Sequence, residues 1–332
     1  MRLMFVILAT ALSYAPQSLG QVGASIAPDA QRIDPESPAS AVEKDNKFVG
    51  LLIELPIYSF YLGAPDINGN AYVPNFEPRM GPQISWKGYG ARMTFSLGLP
   101  SRERTRRGTS DQTNVLLNFY WRQYAINVYY QNFKGFYVAS PYEELSGLKP
   151  ERYTQLPDAQ SSHFGFNTYL SLNPGTFHFD SAFDENTASL KSGSDWIVAP
   201  FYRHWSISLG DEVIPGSSEN SLQELPELSG GIFDTLGASF GYTRTWIYKE
   251  TFLSILGTLG PGVQYQRFTD DFVDASKFAM AGKLNGKFAA GFKSKSYLFG
   301  TRLILDTLYA RVRGTDVYSS MAGMEFYVNR AF

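Results

Sequence analysis

The chain has 332 residues, with 29 Lys and Arg against 31 Asp and Glu, so it lacks the basic excess of a nucleic-acid binder. It has no Cys, which excludes disulfides, thiolate metal sites and cysteine nucleophiles. Its 44% hydrophobic residues exceed what a disordered chain carries, and 30 Gly, 25 Phe and 21 Tyr at 18% charge point to an all-β protein.

Residues 1–20 read as a secretory signal peptide. Arg2 supplies the positive start, Leu3 to Leu12 is a short apolar run, and Ser18 and Gly20 set a small-x-small site before Gln21. Residues 21–46 are rich in Ala, Ser, Pro and charge and read as a flexible leader. From 47 to 332 the texture becomes that of a barrel domain, with apolar and polar residues alternating between turn-forming clusters. No stretch after the signal reaches the roughly 18 apolar residues of a membrane-spanning helix. A chain that crosses lipid without such helices does so as a closed β-barrel, because its backbone polar groups must pair internally.

The alternation predicts strands over 47–62, 74–86, 88–99, 112–121, 124–138, 161–172, 176–186, 193–209, 229–246, 249–268, 281–294, 296–313 and 316–332. Met80, Ile84 and Trp86 oppose Arg79, Gln83 and Ser85; Leu236, Ala238, Phe240 and Tyr242 oppose Gly237, Ser239, Gly241 and Thr243. Tyr120, Trp121, Tyr124, Trp246 and Tyr248 cluster at strand ends, where the aromatic girdles of a membrane barrel lie. Thirteen segments conflict with the even number that a bacterial barrel needs, and the sidedness counted from the two ends clashes around 173–228. The expectation is a transmembrane up-and-down antiparallel β-barrel of about 12 strands, with 14 as the alternative. A secreted β-sandwich that binds a ligand is the competing architecture, since alternation alone does not say which solvent meets the apolar face. The last segment ends on Phe332, like the C-terminal strands by which outer-membrane barrels are recognised by their assembly machinery.

Three short motifs carry a family resemblance: Tyr72-Val73-Pro74-Asn75, Ser85-Trp86-Lys87-Gly88-Tyr89-Gly90, and the run from Tyr129 to Tyr137. With them, the stretch from about residue 48 onward resembles an uncharacterised bacterial family, domain of unknown function 4421. The resemblance implies an outer-membrane barrel. It transfers no activity and no site residue.

Chemistry is sparse. His163, His178 and His204 lie on three segments; His163 and His178 could face one another with Asp180 nearby, but hydrogen-bonded interior residues explain them more simply than a metal site. No cofactor motif occurs. His204 and Ser206, at i and i+2, project from one face of a strand, the spacing of a base beside a hydroxyl nucleophile. The pair faintly resembles that of the outer-membrane phospholipase. With Ile197, Ala199, Phe201 and Trp205 taken as the lipid-facing set, His204 is expected to point inward, and no third member is evident. Glu77, Arg79, Lys87, Arg92, Asp180, Lys287, Arg302, Asp306 and Glu325 fall on polar faces and are expected to line the lumen as a polar network. The arginines within 101–111 could meet anionic surface sugars and phosphates, and the acidic run 211–227 reads as a loop. The function expected is a non-catalytic structural surface protein of the bacterial outer membrane, or a narrow passive channel for small polar solutes. Its expected partners are membrane lipid, lipopolysaccharide and the assembly machinery. A lipid hydrolase using His204 and Ser206 is the alternative.

Overall fold

Alternate side chains of a β-strand leave on opposite faces, and β1 (Lys47–Leu62) obeys this along its length. Phe48, Leu52, Glu54, Tyr58 and Phe60 are buried, while Val49, Leu51, Ile53, Leu55 and Ile57 are exposed. The computed structural model describes residues 47–62, 70–121, 123–139, 151–173, 177, 179, 192–209, 230–269, 275–294, 296–312 and 315–332. In these, β1 is followed by β2 (Asn70–Val73), β3 (Arg79–Trp86), β4 (Tyr89–Met93), β5 (Phe95–Ser96) and one short helix, α1 (Ser101–Arg107). Then come β6 (Asp111–Tyr120), β7 (Tyr124–Ala139), β8 (Thr154–Ser171), β9 (Gly193–Ser208) and β10 (Gly230–Tyr248). The series ends with β11 (Thr251–Thr269), β12 (Ala275–Lys293), β13 (Tyr297–Val312) and β14 (Thr315–Ala331).

Every pairing is antiparallel. From β6 to β14 each strand pairs with the next, and β14 returns to β1 in unbroken register from Phe48↔Ala331 to Leu62↔Val317. Pairing of β1 with β3, from Lys47↔Trp86 to Glu54↔Arg79, closes the ring. At the end that holds Lys47 and Ala331, which we call the base, twelve strands surround the axis: β1, β3, β4 and β6 to β14. The expected fold class and the even number are therefore met.

At the opposite end, the rim, the short β4–β6 hairpin does not reach. There β2 bridges β1 (Phe60↔Tyr72) and β7 (Tyr72↔Val138), so ten strands make the ring. Residues 74–78 interrupt what the sequence presents as one strand, 74–86. Pro74 and Pro78 bound the break, and proline offers no N–H to a ladder. Side chains seal this notch. The Asn75 backbone N–H donates to Ser110 Oγ at 2.7 Å, and its side-chain amide donates to the Gly108 carbonyl at 2.6 Å. Arg79 donates to Thr94 Oγ1 at 3.0 Å, the Thr94 carbonyl at 2.5 Å and the Gln112 carbonyl at 3.0 Å. Gly135, at φ 82°, lets β7 pass from β6 to β2; a Cβ there would meet the Thr109 carbonyl at 2.3 Å.

The expected strand 176–186, which made the count odd, is corrected at its described residues. Its described residues, Phe177 and Phe179, are outside any strand and are buried in the barrel. Their rings meet at 5.1 Å, and Phe179 lies 6.3 Å from Tyr169. Two apolar residues at i and i+2 look like strand alternation, but here they serve as interior filling. Elsewhere β8 starts at Thr154 and β12 at Ala275, earlier than the polar starts of their alternating patterns implied. The expected signal peptide and leader, 1–46, lie outside the described residues.

The outer face is apolar. Leu51, Ile57, Ile84, Leu236, Phe240, Leu259, Phe278 and Met280 each expose about 50% or more of their surface. Aromatic residues fringe this belt: Trp86, Tyr89, Tyr124, Trp246, Tyr248 and Tyr297 toward the base, Tyr202, Tyr265, Tyr309 and Tyr318 toward the rim. Tyr309 lies twelve steps along β13 from Tyr297. At roughly 3.3 Å per residue and a tilt of about 45°, that is a height of about 28 Å, matching a bilayer's apolar core. Among the described residues no helix is long and apolar enough to cross a membrane, and the strands do so.

Candidate functional site

Inward-facing residues fill the barrel at three levels. At the base, Leu52, Tyr120, Tyr169, Phe177, Phe179, Ile197, Phe252, Leu256, Leu298 and Tyr327 form one apolar cluster. Tyr327 lies across Gly300, its register partner on β13, where a Cβ would stand 2.3 Å from the Tyr327 hydroxyl. Glycine is thus needed inside the barrel wherever a cross-strand aromatic ring lies flat on the wall.

The middle level is charged. Glu325 accepts from Arg92 at 2.6 Å and from Arg302 at 3.1 Å. Glu54 accepts from Thr94 Oγ1 at 2.9 Å and Asn114 Nδ2 at 3.1 Å. Asp306 pairs with Lys283 at 3.1 Å and Arg203 at 3.5 Å and accepts from Asn285 Nδ2 at 3.1 Å. Lys283 also donates to Asn167 at 2.5 Å, and Lys287 donates to Asn127. A charge taken from water is tolerated only when partners and hydrogen bonds replace its hydration, and each of these three carboxylates has at least two such donors.

Toward the rim, polar groups merge into aromatic packing. Arg203 Nη2 donates to His163 Nδ1 at 3.0 Å and to Ser319 Oγ at 2.6 Å. An Arg donor on Nδ1 leaves the ring proton on Nε2, which meets Tyr58 Oη at 2.8 Å and Ser161 Oγ at 3.1 Å. Trp205 donates to Ser161 at 2.9 Å. Phe60, Tyr72, Phe133, Phe136 and Phe233 pack above this network. Tyr58 stacks on Phe133 at 4.4 Å, and Phe60 on Tyr72 at 4.7 Å.

Of the residues expected to line the lumen, Arg79, Arg92, Lys287, Arg302, Asp306 and Glu325 face it. Glu77 is half-buried in the 74–78 break. Asp180 and His178 lie outside the described residues. Lys87 is corrected: it sits exposed in the β3–β4 turn at φ 53°, its ammonium 5.2 Å from the Trp86 ring. A two-residue turn with positive φ at Lys87 and Gly88 takes the residue out of the strand's alternation. Glu54, Arg203 and Lys283 were missed. On β1 and β12 the period-two rule places Glu54 and Lys283 inward once register is known.

On β9 the expected parity is reversed. Ile197, Ala199, Phe201, Arg203, Trp205 and Ile207 point inward and are buried. Tyr202, His204 and Ser206 therefore point outward. The error has a physical cause: both faces of β9 are apolar toward the base, because the interior there is itself apolar. On the outer face His204 Nδ1 lies 2.8 Å from Asp234 Oδ1, and Tyr202 Oη donates to the same oxygen at 2.7 Å. Ser206 Oγ lies 2.8 Å from Ser162 Oγ. Among the described residues no group of three His, Cys, Asp or Glu side chains could hold a metal ion.

A closed antiparallel ring, apolar outside over a bilayer's thickness and filled within, defines a transmembrane β-barrel. Residues 49–329 match the family described as Domain of unknown function (DUF4421), and the chain belongs to that family. No curated protein matches the sequence. Among solved structures, it is similar to the outer membrane protease OmpT from Escherichia coli at 8% identity and TM-score 0.40, over 87% of this chain and 97% of that one. It is similar to the attachment invasion locus protein Ail of Yersinia pestis at 14% and 0.25, over 62% and 96%. With the toluene transporter TodX of Pseudomonas putida the figures are 8% and 0.27, over 86% and 89%. Likenesses at this level assign no activity to this chain.

Proposed function

We propose that this chain is a structural surface protein of the bacterial outer membrane, a barrel whose lumen is sealed and whose contacts are made at its faces. The observation that carries this reading is the burial of Phe179, Arg203 and Phe60, each 0% exposed, at successive levels of one lumen. Between these levels the charged groups bond to one another, Glu325 with Arg92 and Arg302, and Asp306 with Lys283 and Arg203. At the rim, Arg106 and Arg107 stack on Tyr153, at 5.2 and 5.8 Å, while Arg102 and Arg104 remain exposed on α1. These two guanidinium groups suit the phosphates of lipopolysaccharide. Refolded protein in planar bilayers tests the reading. It predicts no steady conductance steps, and regular steps in symmetric salt would contradict it.

One observation favours a narrow channel instead. In the middle level six cationic side chains, Arg79, Arg92, Arg203, Lys283, Lys287 and Arg302, face three carboxylates, Glu54, Asp306 and Glu325. A pore through that level would select anions. Steps whose reversal potential follows the anion gradient would establish this second reading in place of the first.

A further inference from the structure

The outward cluster on β8, β9 and β10 does nothing for the sealed lumen. Its members sit in exact register: His204 opposite Asp234, and Ser206 opposite Ser162. His204 and Asp234 are part-exposed, at 36% and 27% of their side chains. Toward the base the same outer face is greasy, with Trp196, Leu236 and Phe240 exposed. Toward the rim it is polar, with Gln160 bonded to Asn132 at 3.1 Å and Lys134 paired with Asp158 at 3.6 Å. The cluster thus lies where acyl chains give way to headgroups, the depth at which the ester bonds of membrane lipids sit. Arg267, exposed on β11 opposite Ile232, flanks it with a positive charge suited to a lipid phosphate.

We infer that Ser206, His204 and Asp234 form a lipid-facing hydrolytic triad acting on carboxylic esters of membrane lipids. The carboxylate on Nδ1 orients the imidazole and leaves Nε2 to handle a proton. Ser206 is two residues along the same face, and a rotation about χ1 away from Ser162 would turn its hydroxyl toward His204. Ser206 Oγ attacks the ester carbonyl carbon as Nε2 takes its proton. The tetrahedral adduct collapses with cleavage of the carbon–oxygen bond, and the proton passes from His204 to the departing alcohol. Water, deprotonated by His204, then attacks the acyl-serine; the acyl–Oγ bond breaks, His204 returns the proton to Ser206 Oγ, and a fatty acid leaves. Asp234 stabilises the imidazolium formed in each step, and Tyr202, bonded to the same carboxylate oxygen, holds it in place.

The test uses full-length protein refolded into phosphatidylethanolamine–phosphatidylglycerol vesicles. Treatment with a long-chain alkyl fluorophosphonate followed by peptide mass spectrometry is expected to find the adduct on Ser206. Fatty-acid release is expected to fall at least 100-fold in Ser206→Ala and in His204→Ala, and about 10- to 100-fold in Asp234→Asn. Heat-modifiable gel migration of each variant separates loss of chemistry from loss of fold, because all three side chains lie outside the packed interior. An unlabelled Ser206 in folded protein, an adduct on Ser162 in its place, or equal release by wild type and Ser206→Ala would overturn the assignment.

Discussion

Glu325 shows what a single buried residue holds together. It takes the charge-assisted hydrogen bonds of both Arg92 and Arg302, so removing it takes a buried counter-charge from two guanidinium groups inside the barrel. Glu325→Ala is therefore expected to destabilise by about 3–5 kcal/mol, and Glu325→Gln by less because it still accepts hydrogen bonds. Urea titration read by gel mobility checks both; a Glu325→Gln variant as stable as the native protein would contradict the charge argument, and equal loss in the Ala and Gln variants would show that the accepted hydrogen bonds add nothing to it. Gly300→Leu is expected to cost about 1–3 kcal/mol by forcing the Tyr327 ring off the wall. At this scale the sequence was legible wherever one face was purely apolar: Phe299 and Leu303 face out, Arg302 and Asp306 face in, as the alternation predicts. It was not legible on β9, where an apolar interior and an apolar exterior share the strand. The inversion there hid both the buried Arg203 and the outward His204–Asp234 pair. The partner Asp234 was also out of reach, since register between β9 and β10 depends on a connection, 209–229, whose length does not fix it.

Among the elements, the irregular part of the wall is where the family motifs gather. Tyr72-Val73-Pro74-Asn75 spans the end of β2 and the start of the break, Ser85 to Gly90 makes the β3–β4 turn, and the run Tyr129 to Tyr137 contains Gly135. All three surround the short hairpin that leaves the rim with ten strands. Asn75→Ala removes donors to the Glu103 and Gly108 carbonyls and is expected to cost about 1–3 kcal/mol. Hydrogen exchange should quicken first in 100–112; exchange that rises evenly around the barrel would show that the notch is no weak point. Prolines announced the break in the sequence, but the alternation on either side of it read as one strand. The extra strand at 176–186 arose from the same ambiguity, because Phe177 and Phe179 satisfy a period of two whether they lie in a wall or plug the space within it.

At the scale of the whole molecule, the number of strands and the apolar belt followed from pattern, since long alternating strands need a second solvent for their greasy face. That the lumen is packed with side chains did not follow, because polar inward faces serve a pore and a plug equally well. The absence of native Cys makes the central claim directly measurable. Single cysteines at Leu236, Phe240 and Leu259 on the outer face, and at Ser239, Thr243 and Thr258 on the inner, would be spin-labelled in refolded protein in lipid vesicles. Relaxation by oxygen, which partitions into hydrocarbon, and by a water-soluble nickel chelate would then be compared. A sealed barrel predicts outer sites relaxed by oxygen alone and inner sites sheltered from both agents; inner sites open to the chelate would mean a water-filled channel and contradict it.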